Sequence, residues 1–399
     1  MDLLITAGTV VTGAKGRHVR DGAVLVRGET VVYAGHRSEA GARTAPGTPT
    51  LSFPDATVLP GLIDCHVHLA LDAGSDPVGT LHATDDKDLL LAMAGRARRL
   101  LDCGVTTVRD LGDRAGLAAR LRDAVAAGVL PGPRILSATT PVTRTGGHCW
   151  FFGGEADTEN AVRDLVRRNV AGGADVIKVM ATGGGITKGG PPIWQAQFTG
   201  TELRAVVEEA HAAALRVAAH AHGTEGIAAA VAAGVDTLEH CTWIAEDGFD
   251  VREDVVAVIA ERGIHVCPAA SPDWRGFAER FGPRRADEMF ARLRWMADRG
   301  VRLVAGTDAG VAHAVFDDFV SSLEFFEHIG FSPAEIIDLA TTEAAEALGI
   351  AAETGLLAPG HRADLLVVDG NPLTDLQCLR DVRLVLAGGR RHLPSGAAA

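Results

Sequence analysis

The 399-residue chain contains no apolar run approaching the ~20 residues needed to cross a bilayer. Its opening, "MDLLITAGTV", lacks the basic and apolar regions of a secretory leader, so no signal peptide is expected. Positive charge is in deficit. Lys and Arg number 38 against 51 Asp and Glu, a formal net charge of -13, which disfavours nucleic acid and anionic membrane as partners. The six cysteines, Cys65, Cys103, Cys149, Cys241, Cys267 and Cys378, include no CxxC pair. Their scatter argues against a disulfide framework or a zinc ribbon and for reduced thiols of a cytoplasmic protein. No Gly-rich dinucleotide fingerprint or phosphate loop follows a strand, and the loops "GDRAG" and "ATGGG" have the wrong spacing. What remains is a chain with 47% apolar residues, able to bury a large core and free to act on a small molecule; a homo-oligomer is left open.

Both ends read as short strands broken by glycine: "LLITAGTVVTG" and "GAVLVRGETVVYAG" at one, "ADLLVVDGNPLTD" and "VRLVLAGGRR" at the other. Together they predict one small sheet domain, a β-sandwich of residues 1–58 and 355–399. Between them, over 59–354, β-branched runs alternate with Ala/Arg/Glu-rich stretches. Eight strands are expected, at 63–69, 105–110, 134–138, 175–181, 216–222, 235–240, 264–268 and 302–308. Helices are expected at 87–102, 159–171 and 201–214, the last capped by Thr199 or Thr201. Eight strand–helix units predict an α/β fold, a (β/α)8 TIM barrel; a doubly wound open sheet is the alternative and would not need eight.

A barrel of this kind carries its site at the C-terminal ends of the strands, and polar residues recur there. "IDCHVHL" places His66 and His68 on one face of the first strand, since alternate strand residues share a face, and turns Cys65 away. Lys178 lies inside the fourth strand, His220 ends the fifth, His240 the sixth and Asp308 the eighth. Taken singly, each has an ordinary structural role: a hydrogen-bonded histidine, a snorkelling lysine, a capping aspartate. Taken together they suit metal chemistry. Histidine and carboxylate favour zinc, or manganese, iron or cobalt. The donors are too many for one tetrahedral zinc with an open position and about right for two metals sharing a bridge.

The ordered series "PGLIDCHVHL", "GADVIKVMATGG", "VAAHAHGTEGI", "GVDTLEHCTW", "AGTDAG" and "TGLLAPGHRADLLVVDGNPL" resembles the amidohydrolase superfamily along nearly the whole chain. The branch it resembles most holds Xaa-Pro dipeptidases and N-acyl amino-acid hydrolases, with imidazolonepropionase a more distant likeness. The resemblance implies His66, His68 and Asp308 around one divalent metal and His220 and His240 around a second. It implies Lys178, carboxylated by CO2, as the bridge, and zinc as the metal. His222, on the face of His220, is left between a substrate contact and a supporting role.

The same resemblance implies hydrolysis of an amide by a metal-bridging hydroxide, with Asp308 as general base and acid. His148, in "TRTGGHCWFFGG", is the candidate donor to the oxyanion, and Arg144 the candidate partner of a substrate carboxylate. Trp150 and Trp194, on the loops after the third and fourth strands, are the candidate apolar contacts. Dipeptidase-like relatives carry "GGHGD" where this chain has "GGHCW". A bulky residue beside His148 argues against simple Xaa-Pro peptides and for a bulkier, for example aromatic, amide. The competing expectations are a lactonase or esterase on the same site, a cyclic amide or amidine hydrolase, which Lys178 disfavours in its one-metal form, and a non-catalytic relative, which an intact donor set disfavours.

Overall fold

The structure, a computed structural model, describes residues 2–394. Eight strands follow one another through the middle of the chain: Leu62–Val67, Val105–Asp110, Arg134–Ser137, Val176–Met180, Arg216–Gly223, Thr237–Ala245, His265–Cys267 and Arg302–Leu303. Consecutive neighbours pair in parallel within two groups, the first three and the last five. Hydrogen bonds join the groups at both seams. On one side the Cys65 N–H donates to the Ala305 carbonyl at 3.0 Å and the Asp308 N–H to that of His66 at 2.8 Å. On the other the Asp175 N–H donates to the Ser137 carbonyl at 2.8 Å and the Met180 N–H to that of Val142 at 2.9 Å. The ring is closed.

The first and fourth strands are buried at every position, as parallel strands covered on both faces by helices must be. The helix Glu159–Ala171 falls where expected. Val162, Leu165 and Val166 form its inward stripe, and Thr158 caps it by accepting the Ala161 N–H. The helix Gly200–Ala212 starts at Thr199, not Thr201, because Thr199 and Glu202 close a reciprocal capping box. Two strand ends differ from expectation: the sixth runs on to Ala245 and the eighth ends at Leu303. Past Leu303 the chain bonds to the first strand without a regular ladder.

Both ends of the chain supply one seven-stranded sheet. Its order is 390–392, 382–387, 365–369, 50–60, 2–13, 17–27 and 30–36. Ile5, Val24, Val58, Leu365 and Leu386 pack one of its faces into a core of its own. The strand Thr50–Pro60 feeds the barrel through Gly61, where a Cβ would lie 2.1 Å from the Thr106 hydroxyl oxygen. Sheet and barrel are thus coupled at a point where only glycine fits. No helix among the described residues is long and apolar enough to cross a membrane.

Candidate metal centre

Strand alternation brings the His66 and His68 rings to 5.3 Å between centroids. Asp308 arrives from the segment after the eighth strand, its Oδ1 3.3 Å from His66 Nε2 and 3.4 Å from His68 Nε2. Across the mouth, His220, His222 and His240 form a second group. In each trio one donor atom per residue lies within 4.8 Å of the others. The His66 and His240 rings, 5.2 Å apart, link the trios. Between them Lys178 is buried, and its Nζ has no hydrogen-bond partner. The carboxylates of Glu239 and Asp308 act on it through space, without an ion pair to hold an ammonium there. Burial drives the Lys178 pKa down, toward the neutral amine. Two imidazole-rich trios beside an orphaned buried amine are a donor set that fits divalent metal.

A third group, His66, Glu239 and Cys267, also meets the spacing of metal ligands. Two of its donors are already committed. Glu239 accepts from Arg109 Nη2 at 2.8 Å and from the Thr237 hydroxyl at 2.6 Å, and pairs with His66 Nδ1 at 2.9 Å. This trio supports the centre from below. Burial alone would raise the Glu239 carboxyl, but the Arg109 guanidinium and His66 outweigh it and hold it well below the usual range. Burial and Lys178 would lower the His66 pKa, but Asp308 and the hydrogen bond to Glu239 together raise it. With Nδ1 so held, Nε2 is turned to Asp308 and the mouth.

Asp64 ties the seam together, accepting from the His66 N–H and the Thr307 N–H at 3.1 Å each and from the Thr307 hydroxyl at 2.6 Å. Burial lifts its pKa to about 6 in spite of those bonds. The backbone at the mouth is strained. His240, Cys241, Trp243 and Asp308 have φ of 69°, 50°, 58° and 57°, a region non-glycine residues rarely occupy. Such strain, about 1–3 kcal/mol per residue, persists where the surroundings impose it, and it accumulates at functional sites.

His148 reaches the same chamber, its ring 4.3 Å from that of His220. The Thr187 hydroxyl accepts the Cys149 N–H at 2.9 Å, so its own proton is free for His148 Nδ1 at 3.0 Å. On its other side His148 Nε2 lies 3.5 Å from the Cys149 thiol. Burial, with His222, lowers the His148 pKa to about 3, so the ring is neutral at pH 7. Burial also lowers His222, to about 4, and its Nδ1 pairs with the Thr242 hydroxyl at 2.9 Å. His222 therefore sits with His220 and His240 and not apart from them.

Three expected contacts fall elsewhere. Arg144 spends its guanidinium on the protein, donating to the Gln197 and Asp157 carbonyls at 2.7 Å each and to Glu202 at 2.6 Å. It pins the third loop to the next helix and is not free for a carboxylate. Trp150 is 41% exposed and lies off the cavity wall; its neighbour Cys149 lines the chamber instead. Trp194 is also off the wall, its carbonyl packed over Gly223, while Ile193 faces in. The residues missed from the sequence are the Arg109–Glu239–His66 relay and Asp64. Glu239 stands directly before His240 in "TLEH", and alternation argues for only one of the two at the site. The left-handed turn at His240 lets both serve it.

The centre opens into a cavity of about 490 Å³. The sequence matches the Amidohydrolase family over residues 57–391. It is 29% identical to ochratoxinase from Aspergillus niger over 96% of this chain and 84% of that protein. It is 26% identical to imidazolonepropionase from Mesorhizobium japonicum over 88% and 87%. Among solved structures, a Xaa-Pro dipeptidase with methionine bound in its active site superposes with a TM-score of 0.85 at 29% identity, covering 98% of this chain and all of the other.

Proposed function

Since this chain belongs to the amidohydrolase family and is a hydrolase acting on carbon–nitrogen bonds, we propose that it is a binuclear enzyme cleaving the amide of an N-acyl amino acid, a dipeptide or a related metabolite. The observation that carries this reading is the pair of trios around the unpartnered, buried Lys178 amine. His66, His68 and Asp308 would hold one divalent ion and His220 and His240 another, zinc by their donor set, which supply a Lewis acid and a water acidic enough to attack at neutral pH. The neutral Lys178 amine is the form that adds CO2, forming an N–C bond and losing a proton. Its carbamate gives the cage two oxygens and a negative charge.

Asp308 carries the proton. Burial would raise its carboxyl, but His66 and its hydrogen bonds hold it well below the usual range, so it is ionised and ready to accept. At 19% side-chain exposure it is open to the cavity. It takes a proton from the attacking water and returns it to the leaving nitrogen. His148, as its Nε2–H tautomer, would turn that donor from the Cys149 thiol to the developing oxyanion. The likeness to ochratoxinase and to a Xaa-Pro dipeptidase supports amide cleavage.

In this reading the barrel of residues 59–354 carries the chemistry beside a β-sandwich domain of residues 1–58 and 355–399, of which 1 and 395–399 lie outside the described residues. The enzyme works in the cytoplasm on a small molecule, with no nucleic-acid or membrane partner. Its test is a screen of the zinc-loaded protein against N-acyl amino acids, dipeptides, lactones and cyclic amides. Turnover of the acyclic amides is expected, and turnover of lactones alone would overturn the assignment.

A further inference from the structure

The cavity has two unlike ends. One is the histidine-rich centre. The other is walled by the segment that follows the seventh strand, where a (β/α)8 unit usually has one helix and this chain has two, Trp274–Phe281 and Pro283–Ala297. Gly282, at φ 101°, turns the chain between them, and Pro283 starts the second. The first helix has apolar residues at 274, 277, 278 and 281, one face of a helix, with Arg275, Glu279 and Arg280 between them.

The members of that face are not equivalent. Trp274 is buried and fixed: its Nε1–H donates to the Ser321 carbonyl at 3.0 Å, and its ring meets Phe325 at 5.8 Å and Phe290 at 6.2 Å. Phe277 and Phe281 are only half-buried. Their rings lie parallel, 5.1 Å apart and 18° from coplanar, and both line the cavity. Phe281 carries the Arg285 guanidinium 4.7 Å over its ring, and the two half-buried rings at the wall of the chamber form an apolar seat for a flat group. The volume, about 490 Å³, lies in the range that encloses a drug-sized ligand.

Resting on the amide reading above, we infer that the substrate carries a bulky aromatic group beside the scissile amide, seated against Phe277 and Phe281, and that these two residues set specificity. The opposite end of the substrate meets the metal ligands. Trp274, Phe290 and Phe325, packed on one another, line the same end of the chamber. This relocates the apolar determinant from the third and fourth loops to the seventh-strand segment.

The test uses the zinc-loaded full chain with N-acetylglycine, N-(2-naphthoyl)glycine and N-acetyl-2-naphthylalanine. At least one naphthyl amide is expected to exceed N-acetylglycine in kcat/KM by about a hundredfold, the scale of discrimination an apolar pocket supplies. Phe277→Ala and Phe281→Ala should each lower that preference about tenfold. Calorimetry with 2-naphthoate gives a readout apart from turnover. Binding with a negative heat-capacity change, weakened in Phe277→Ala, is expected. Equal turnover of all three amides, insensitive to both substitutions, would overturn the inference and leave amide hydrolysis standing. Hydrolysis of none of them, with naphthoate still bound at these residues, would keep the seat and remove the amide reading. A thermal midpoint close to that of the parent separates either result from misfolding.

Discussion

The barrel mouth and the terminal sheet follow opposite rules. At the mouth, four non-glycine residues in and beside the centre sit at positive φ, and a buried lysine nitrogen has no partner. In the terminal sheet the packed residues are Ile5, Val24, Val58, Leu365, Leu386 and their like. Its non-glycine residues at positive φ, Lys15 and Asp21, are exposed, and among the described residues no buried, unpartnered side-chain atom belongs to it. One region is consistent at every level of its construction and serves stability. The other departs from the rules of folding where its polar groups converge, as sites built for chemistry do.

Breaking the relay beneath the mouth should have the largest effect. Glu239→Ala leaves the Arg109 guanidinium buried without its carboxylate, at a cost of about 3–5 kcal/mol. It also frees the His66 ring, with a loss of metal affinity of about 10- to 100-fold. Urea unfolding and a metal titration read the two. Next is a cavity in the terminal sheet. Leu386, fully buried, should cost about 2–5 kcal/mol as Leu386→Ala, with kcat of the folded fraction unchanged. A fall in kcat without loss of stability would erase the contrast between the regions.

A smaller effect comes from acid. His222 takes up its proton near pH 4 when folded, against 6.5 when unfolded, so the unfolded chain binds more protons between those values. Its contribution to stability is complete above pH 6.5 and is lost as pH falls toward 4. In the metal-free protein, the urea midpoint of His222→Asn should fall less steeply over that window than that of the parent. The smallest effect belongs to Trp150→Ala. With its side chain off the cavity wall, both stability and kcat/KM should hold, stability within about 0.5 kcal/mol.

The alternation of runs and breaks placed six of the eight barrel strands within two residues of their observed ends, and strand alternation alone put His66 beside His68. His220, His240 and Asp308 were legible because the C-terminal side of a barrel gathers them, although the sixth strand runs past His240 and the eighth stops short of Asp308. Arg144, Trp150 and Trp194 were misjudged because loop position does not give side-chain direction: the first is spent on two carbonyls and a carboxylate, and the second faces outward. The aromatic wall was hidden for another reason. Trp274, Phe277 and Phe281 form one amphipathic stripe in the structure, and nothing local in a sequence distinguishes a stripe that packs on a core from one that walls a cavity. Glu239 was masked by His240, whose left-handed backbone breaks the alternation on which the reading depended.

The central claim is that Lys178 joins two metal sites into one centre. It is tested most directly by metal analysis of the zinc-loaded, desalted protein beside its Lys178→Ala variant, with isotopically labelled bicarbonate supplied to detect the carbamate. Two zinc ions per chain in the parent, a carbamate signal, and loss of both in the folded variant are predicted. One tightly bound ion with Lys178 unmodified would contradict it.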